Sequence, residues 1–313
     1  MKLAICIPVH GFSDVFHNTL DIIANCDDDR VKTATIVVSN SGAAFGEDSI
    51  RFDRKKILGV PGNFYWSKAV EVLYKYCIAE NFDKVLLMNH DCHPATNTLK
   101  QLLDLHETYP EHVLHPVVVD AVDEKIIWAG IDIKFCRRPR WRYLGDSLKD
   151  LPSQCYETDC APGQMLLLPL GAVRPECLKA KYFPHYFSDF VQIRELQRRG
   201  IKTLVVPDAI AYANEADYER KKLFMDTGTW AGVFRAFFDV RSQRNLRSRI
   251  LAPFFLQSNL FGALIQLGYQ FPGSIAKTIL ERLAKYIVHR DQQPSHQADR
   301  KFHQENRDWK KPS

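Results

Sequence analysis

An aspartate that follows a short apolar run is the residue of this sequence best suited to bind a metal ion. The run KVLLM at 84–88 predicts a buried strand, and Asn89, His90 and Asp91 come directly after it. Hard divalent cations such as Mg²⁺ and Mn²⁺ take oxygen ligands, often one or two carboxylates together with substrate phosphates. Asp91 is therefore a candidate metal ligand, and Asn89 offers a carbonyl oxygen or a supporting hydrogen bond. The alternative is that Asp91 caps a helix that starts after Pro94.

A second aspartate, Asp189, stands near the start of a helix predicted from Ser188 to Arg199 and stopped by Gly200. Its carboxylate has two possible roles. It is either a general base that takes a proton from a hydroxyl group, or a charge that favours the helix N-terminus. The residue types alone favour the second role and leave the first one open.

The elements around these residues alternate between strand and helix up to about residue 110. Buried strands are predicted at 2–9, 33–39, 56–58 and 84–88, and helices after Ser13 or Asp14, at 63–79 and from Thr98 to Tyr109. Continuous apolar strands are typical of a parallel sheet covered on both faces, and ligands bind beyond the carboxyl ends of such strands. The expected site is therefore formed by the residues just past each strand: His10, Ser39, Asn40, Asn89, His90 and Asp91.

Beyond residue 110 the pattern predicts more strands and then a change of character. Strands are expected within 112–135 and at 165–168 and 202–206, whereas the polar, arginine-rich segment 136–160 is expected to be a mobile loop. After about residue 215 helical periodicity dominates, interrupted by Pro253 and Pro272. We predict three regions: a catalytic α/β domain at 1–215, a helical, basic and amphipathic region at 216–290, and a disordered tail at 291–313.

The charge of the chain points to an anionic surface as a partner. The 313 residues carry a net charge of +5, and five arginines between positions 235 and 249 are opposed by one acid, Asp239. A basic run beside apolar sequence favours an anionic surface such as a membrane. The stretch 250–271 contains too many polar groups for a membrane span, so it is expected to lie on a membrane or on the catalytic domain. No nucleic-acid-binding motif is present, so no nucleic acid partner is expected.

The N-terminal apolar run is short and ends at Pro8, which does not fit a signal peptide. The chain is therefore predicted to be cytoplasmic.

Taken in order, six segments resemble the family 2 glycosyltransferases, which have the GT-A fold: a mostly parallel, Rossmann-like central sheet flanked by helices. The resemblance is closest to rhamnosyltransferase-like members and covers about residues 1–215. The segments are Ile5–His10, Val37–Gly42, Gly62–Ala69, Leu87–Asp91, Cys160–Leu167 and Phe187–Phe190. No single segment is specific for the family, whereas six in the right order are.

This resemblance implies an inverting transfer of a hexose or deoxyhexose from a UDP-, dTDP- or GDP-linked sugar. The acceptor is expected to be a hydroxyl of a glycan or a lipid-linked molecule in surface polysaccharide synthesis, at the inner face of the plasma membrane. By analogy Asp189 is the base, and Asp91 binds Mn²⁺ or Mg²⁺. The implied donor-binding residues are Pro8, His10, Ser39, Asn40, Asn63, Lys68, Asn89 and Gly163.

The sequence also departs from the family pattern. Ser39 and Asn89 stand where acids are usual, and Ala213-Asn214 occupies the region of a late metal-binding histidine. A catalytically weak binding or scaffold protein is therefore one alternative. A nucleotide-sugar pyrophosphorylase is another, although the loop after Val9 lacks the glycine-rich, arginine-bearing sequence that such an enzyme needs.

Overall fold

The computed structural model describes residues 2–11, 13–42, 50–134, 139–213 and 230–268, together with 272–273, 275–276 and 279–280. The described strands are β1 (Leu3–Val9), β2 (Thr35–Asn40), β3 (Lys55–Gly59), β4 (Lys84–Met88), β5 (Cys92–Pro94), β6 (Val113–Asp120), β7 (Ile126–Trp128), β8 (Ile131–Asp132), β9 (Arg140–Trp141), β10 (Tyr156–Glu157), β11 (Met165–Pro169) and β12 (Thr203–Ala213). The described α-helices are α1 (Asp14–Ala24), α2 (Asp29–Lys32), α3 (Trp66–Ala79), α4 (Thr98–Thr108), α5 (Ser188–Gln197), α6 (Trp230–Phe238) and α7 (Leu246–Leu256). Short 3₁₀ turns cover Leu148–Asp150 and Pro175–Leu178.

The chain forms a mostly parallel central sheet, in which the strand order is β10-β12-β6-β11-β4-β1-β2-β3. Strands β3, β2, β1 and β4 pair in parallel, as predicted for their continuous apolar runs. Strand β11 lies between β4 and β6 and runs antiparallel to both. The short strands β5 and β7 extend the sheet, and β8 pairs with β9 in a separate two-stranded sheet. This is the α/β class predicted from the sequence.

Helices cover both faces of the sheet, as the fully buried strand β1 requires. One apolar cluster joins alternate β1 side chains to those of α1, α2 and α4, including Phe16, Leu20, Val31, Leu99 and Leu102. The other cluster joins the intervening β1 side chains to α3 and α5, including Val70, Leu73, Tyr74, Ile193 and Leu196. The two layers hold the sheet rigid, so the loops at its carboxyl edge start from fixed positions.

Most predicted helices and strands are confirmed, with shifted ends. Ser13 is the N-cap of α1, and its hydroxyl accepts a hydrogen bond from the Phe16 backbone N–H at 3.3 Å. The helix expected at 63–79 begins only at Trp66. Strand β12, expected at 202–206, continues to Ala213. The β12–β6 register shifts between Val206 and Ile210, and this shift accommodates Pro207 within the strand.

The prediction of a loop over 136–160 is wrong for the described residues 139–160. This part contains β9, a 3₁₀ turn and β10. The Arg142 side chain forms an ion pair with Asp132, and its Nε lies 2.6 Å from the Asp132 carboxylate. The Tyr156 hydroxyl donates to the Ala129 carbonyl at 2.8 Å. These polar side chains contact Ala129 and Asp132, which precede the segment, and its composition alone did not reveal these contacts.

The described part of the C-terminal region is mainly helical, as predicted, and contains α6, α7 and a further helix at 260–268. Pro253 lies inside α7 and does not interrupt it, contrary to expectation. Helix α7 packs against α5, where Arg194 Nε donates to the Leu256 carbonyl at 3.0 Å. The predicted disordered tail at 291–313 lies outside the described residues.

Across the described residues, the helices do not reach the combination of length and apolar content that a membrane crossing requires.

Candidate functional site

The loops that follow β1 and β2 meet at the carboxyl edge of the sheet. The Asn40 side-chain oxygen accepts hydrogen bonds from the backbone N–H groups of Gly11, at 3.0 Å, and Gly42, at 2.9 Å. His10 Nδ1 and Ser41 Oγ share a hydrogen bond of 2.9 Å. His10 and Asn40, both predicted to bind a donor, are therefore brought together, and Asn40 fixes the shape of both loops.

The turn before α3 brings Asn63 to the same edge. The Val60 backbone N–H donates to the Asn40 carbonyl at 2.9 Å, and Phe64 N–H donates to the Pro61 carbonyl at 2.8 Å. Asn63 is exposed in this turn, next to the end of β2. Its side chain is therefore accessible to a ligand at the edge of the sheet.

Three other predicted donor-binding residues are placed differently. The Ser39 side chain is 0% exposed, and its hydroxyl has no hydrogen-bond partner among the described residues. Pro8, its partner across the β1–β2 register, is buried as well. The Lys68 ammonium lies 2.7 Å from Glu71 on the surface of α3. The structure buries Ser39 and Pro8 and pairs Lys68 with Glu71, and the role of all three in binding stays a prediction.

Trp66 connects the end of β4 to the start of β11. Its indole Nε1–H donates to the Asn89 side-chain oxygen at 2.7 Å, and Asn89 N–H donates to the Gln164 carbonyl at 2.8 Å. The flat ring lies against Gly163, so closely that a Cβ built on that glycine would come within 3.0 Å of it. Asn89 and Gly163, predicted from separate segments, thus meet through a side chain to which the sequence analysis gave no role.

Asp189 lies beside this junction and is held by two backbone donors. One carboxylate oxygen accepts from Gly163 N–H and the other from Phe190 N–H, both at 2.9 Å. Burial raises the pKa of Asp189 above its ordinary value, although these N–H groups favour the charged form and oppose the shift. Asp189 occupies the first turn of α5, so it satisfies the helix N-terminus and also points at Gly163.

The loop before α5 is in turn fixed on the start of α3. Phe187 has a left-handed backbone with φ of 73°, a conformation that costs free energy for a bulky side chain. The Ser67 hydroxyl contacts the Ser188 hydroxyl at 2.7 Å and the Phe183 carbonyl at 2.5 Å. These contacts hold the strained turn, which sets the direction of the Asp189 side chain.

Asp91 does not cap α4, because that helix begins seven residues later with Asn97 at its N-cap position. Its loop is anchored on α1 by the buried Thr19 hydroxyl, which donates to the His90 carbonyl at 2.6 Å and contacts His93 Nδ1 at 3.1 Å. The next residue, Cys92, is fully buried, and burial raises the pKa of its thiol. Asp91 itself is partly exposed at the carboxyl edge.

The described residues contain no group of three or more His, Cys, Asp or Glu side chains that could hold a metal ion. A cation at Asp91 would therefore depend on oxygens from a bound ligand or water for most of its coordination. That arrangement is common for Mg²⁺, which is often held by one or two carboxylates plus substrate phosphates. The single carboxylate of Asp91 therefore fits a cation only where a bound ligand or water supplies most of the oxygens.

The chain has the GT-A fold, a mostly parallel central sheet flanked by helices. Two solved glycosyltransferase structures share this fold. The crystal structure of GalNAc-T7 with UDP, GalNAc and Mn²⁺ matches with a TM-score of 0.52 and 12% identity, over 68% of this chain and 44% of that chain. The crystal structure of S. aureus TarS 1-349 matches with a TM-score of 0.51 and 14% identity, over 92% of this chain and 78% of that one.

The chain therefore spans less than half of the GalNAc-T7 chain that it matches. No protein-family model and no curated protein matches its sequence.

Proposed function

We propose that this protein is an inverting glycosyltransferase of family 2, similar to rhamnosyltransferases. It moves a hexose or deoxyhexose from a UDP-, dTDP- or GDP-linked sugar to a hydroxyl of a glycan or a lipid-linked acceptor in surface polysaccharide synthesis. The observation that carries this proposal is the Asp189 carboxylate, held by Gly163 N–H at 2.9 Å at the same sheet edge as Asp91. The GT-A fold of the neighbours supports nucleotide-sugar transfer as the general chemistry.

In this proposal Asp189 is the general base. It takes the proton of the acceptor hydroxyl while that oxygen bonds to the anomeric carbon and the bond from this carbon to the diphosphate breaks. The nucleoside diphosphate leaves with the bonding electrons, through an oxocarbenium-like state. The Gly163 and Phe190 N–H groups fix the carboxylate in place, and a pKa raised by burial makes it a better proton acceptor.

His10 and Asn63 are proposed to bind the nucleotide, because both are exposed at the carboxyl edge. Asn40, which is buried, is proposed to support this binding by fixing the loops after β1 and β2. Asn89 is proposed to position the donor, with its amide orientation fixed by Trp66. Gly163 is proposed to serve the donor site by letting the Trp66 ring lie against the backbone where β11 begins, since a side chain there would overlap the indole.

Asp91 is the proposed ligand of a divalent cation, Mn²⁺ or Mg²⁺. When bound, such a cation neutralises the charge that develops on the departing diphosphate. Asp91 supplies one carboxylate, and the Thr19 contacts hold its loop at a fixed distance from α1. The single charge of this site predicts a weaker cation dependence than two carboxylates would give.

A thermal-shift comparison tests the role of Asp91. With the wild-type chain, one of UDP, GDP and dTDP should raise the melting temperature, and Mn²⁺ should increase this shift, since a ligand bound only by the folded state stabilises it. In Asp91→Asn the increase due to Mn²⁺ should disappear, while the shift by nucleotide alone remains. Asp14→Asn, on the exposed first turn of α1, is the control. An unchanged Mn²⁺ effect in Asp91→Asn would remove the metal assignment.

The C-terminal region, 216–290, is proposed to seat the catalytic domain of 1–215 on the cytoplasmic face of the plasma membrane. Three successive helices each expose an apolar pair four residues apart: Phe234 and Phe238, Ile250 and Phe254, Leu260 and Leu264. Phe234 and Phe238 are 63% and 66% exposed, and their rings stack on each other. The arginines of 235–249 supply positive charge beside these pairs, which is the pattern of a helix that lies on an anionic lipid surface.

Flotation with vesicles tests this proposed membrane binding. The full chain should float with phosphatidylcholine–phosphatidylglycerol vesicles at low salt and much less with phosphatidylcholine alone. The double variant Phe234→Ser, Phe238→Ser should bind about tenfold more weakly or worse, since each phenyl ring contributes apolar area on insertion. Leu144→Ser, which alters an exposed leucine on another segment, should float like the wild type. A wild-type chain that stays in the aqueous phase at low salt contradicts the proposal.

A further inference from the structure

A row of three aromatic side chains runs outward from the residue next to Asp189. The Phe190 ring meets the Trp128 ring at 6.0 Å between centroids, in an edge-to-face arrangement. The Trp128 ring meets the Trp141 ring at 6.2 Å. We call these three side chains the aromatic row.

The inner end of the row is packed, and the outer end is open. Phe190 and Trp128 are partly buried against the apolar cluster that contains Phe183 and Val191. Trp141 is 39% exposed, which leaves a large indole surface in water. Exposed aromatic surface costs solvation free energy, and in a monomer it often marks a place where a ligand binds.

The outer tryptophan is held on rigid secondary structure. Trp141 lies on β9, paired with Ile131 on β8, and Ile131 also bridges to Cys160. The Arg142 side chain ties β9 to Asp132 and lies 5.3 Å from the centre of the Tyr156 ring. These contacts hold the backbone at Trp141 in place, and the Trp128 ring packs against its indole, which favours a preorganised binding surface.

The row lies at the edge of the sheet that carries the proposed base. Trp128 pairs with Val118, two residues before the carboxyl end of β6, and β6 runs in the same direction as β4. Cys160, to which β8 is bridged, is three residues before Gly163, whose N–H holds Asp189. A molecule resting on Trp141 and Trp128 would thus lie next to Phe190, the residue that follows Asp189.

We propose that the aromatic row is the acceptor subsite and that it binds the pyranose ring of a glycan. The C–H groups on one face of a pyranose form an apolar plane that stacks on an indole, while its hydroxyls stay in water or reach polar side chains. The partly exposed carboxylate of Asp159 accepts from the Ile133 N–H at 2.7 Å and forms an ion pair with Arg194 at 3.2 Å. It lies on the same segment as Cys160, and the remaining lone pairs of its oxygens offer such a polar partner. The assignment of this subsite to the acceptor rests on the proposed transferase function.

The test uses saturation-transfer NMR on the full chain with simple methyl glycosides of glucose, mannose, rhamnose and N-acetylglucosamine. At least one glycoside should bind the wild type, with the strongest transfer to the ring protons of one face. Trp141→Ala should weaken this binding about tenfold, because an aromatic stacking contact is lost, and Trp141→Phe should retain most of it. Tyr109→Ala is the matched control, since Tyr109 is 38% exposed at the end of α4, on the opposite edge of the sheet.

Nucleotide thermal shifts on the same variants separate this proposal from the proposed function. Glycoside binding that depends on Trp141, without any nucleotide shift in the wild type, supports the sugar-binding row and counts against the transferase. A normal nucleotide shift with no glycoside binding to the wild type, or binding unchanged in Trp141→Ala, overturns the aromatic row as a sugar site. Loss of vesicle flotation in Trp141→Ala, without glycoside binding, would show that the indole inserts in lipid and would also overturn it.

Discussion

Asp189→Asn is expected to lower donor turnover by about 10²- to 10⁴-fold, the usual loss when a general base is removed. The amide keeps the size of the side chain and the hydrogen bond from Gly163 N–H, but it cannot take a proton. Its NH₂ group would face the Phe190 N–H, which costs one hydrogen bond of about 1 kcal/mol. Removal of a buried charge offsets part of this cost, so the melting temperature should change little while turnover collapses. Turnover is measured as nucleoside diphosphate released from the donor.

The pH profile of the wild type gives a second measure of the same residue. Because burial raises the pKa of Asp189 above 3.8, the acidic limb of turnover should lie above pH 3.8. The contribution of Asp189 to the free energy of unfolding has the opposite pH dependence from turnover. A raised pKa in the folded state favours the protonated form, so this contribution is present at acidic pH and is lost as the pH rises through the folded-state pKa. Full turnover in Asp189→Asn would remove the assignment of the base.

Gly163→Ala is expected to lower turnover by about 10²-fold, because an error of about 1 Å in position is sufficient for such a loss. The new Cβ would overlap the Trp66 ring and lie 3.3 Å from the Asp189 Cβ. To relieve this overlap the Trp66 indole must move, which breaks its hydrogen bond to Asn89. The overpacking should also lower the free energy of unfolding by about 1–3 kcal/mol. Chemical denaturation and turnover are measured on the same preparation.

Gly171→Ala provides the matched control for this change. Gly171 follows the other end of β11, and a Cβ at that position has no neighbouring atom within 4 Å. This variant should keep both wild-type turnover and wild-type stability. If Gly163→Ala behaves in the same way, the close packing of Trp66 on Gly163 does not organise the site.

The sequence predicted the strands and helices where local apolar patterns are strong. The runs of β1, β2 and β4 are continuous because both of their faces are buried, and the predicted carboxyl edge follows directly from them. It also placed Asp91 correctly beyond β4. It did not predict β5, where three residues after Asp91 pair with β12, because a pairing that short has no periodicity of its own.

The convergence of Asn89, Gly163 and Asp189 could not be predicted, because it depends on the direction of β11. An apolar run of five residues reads the same whether the strand is parallel or antiparallel. Only the antiparallel arrangement brings the residue before Met165 to the end of β4. Likewise, the burial of Ser39 depends on neighbours that are distant in sequence. The pairing of Lys68 with Glu71, three residues apart on α3, depends on which rotamers the two side chains adopt.

The position of β11 also has a consequence for how the chain folds during synthesis. Strand β4 is made early, but its outer edge is covered only when Met165–Pro169 arrive, and β6 joins the sheet through the same strand. Until then, a nascent chain carries an open apolar strand edge, which is a surface for aggregation. This long-range pairing raises the contact order and slows folding. Closing the sheet and bringing Gly163 beside Trp66 are therefore a single event, so a ribosome-bound chain that stops short of β11 has no assembled site.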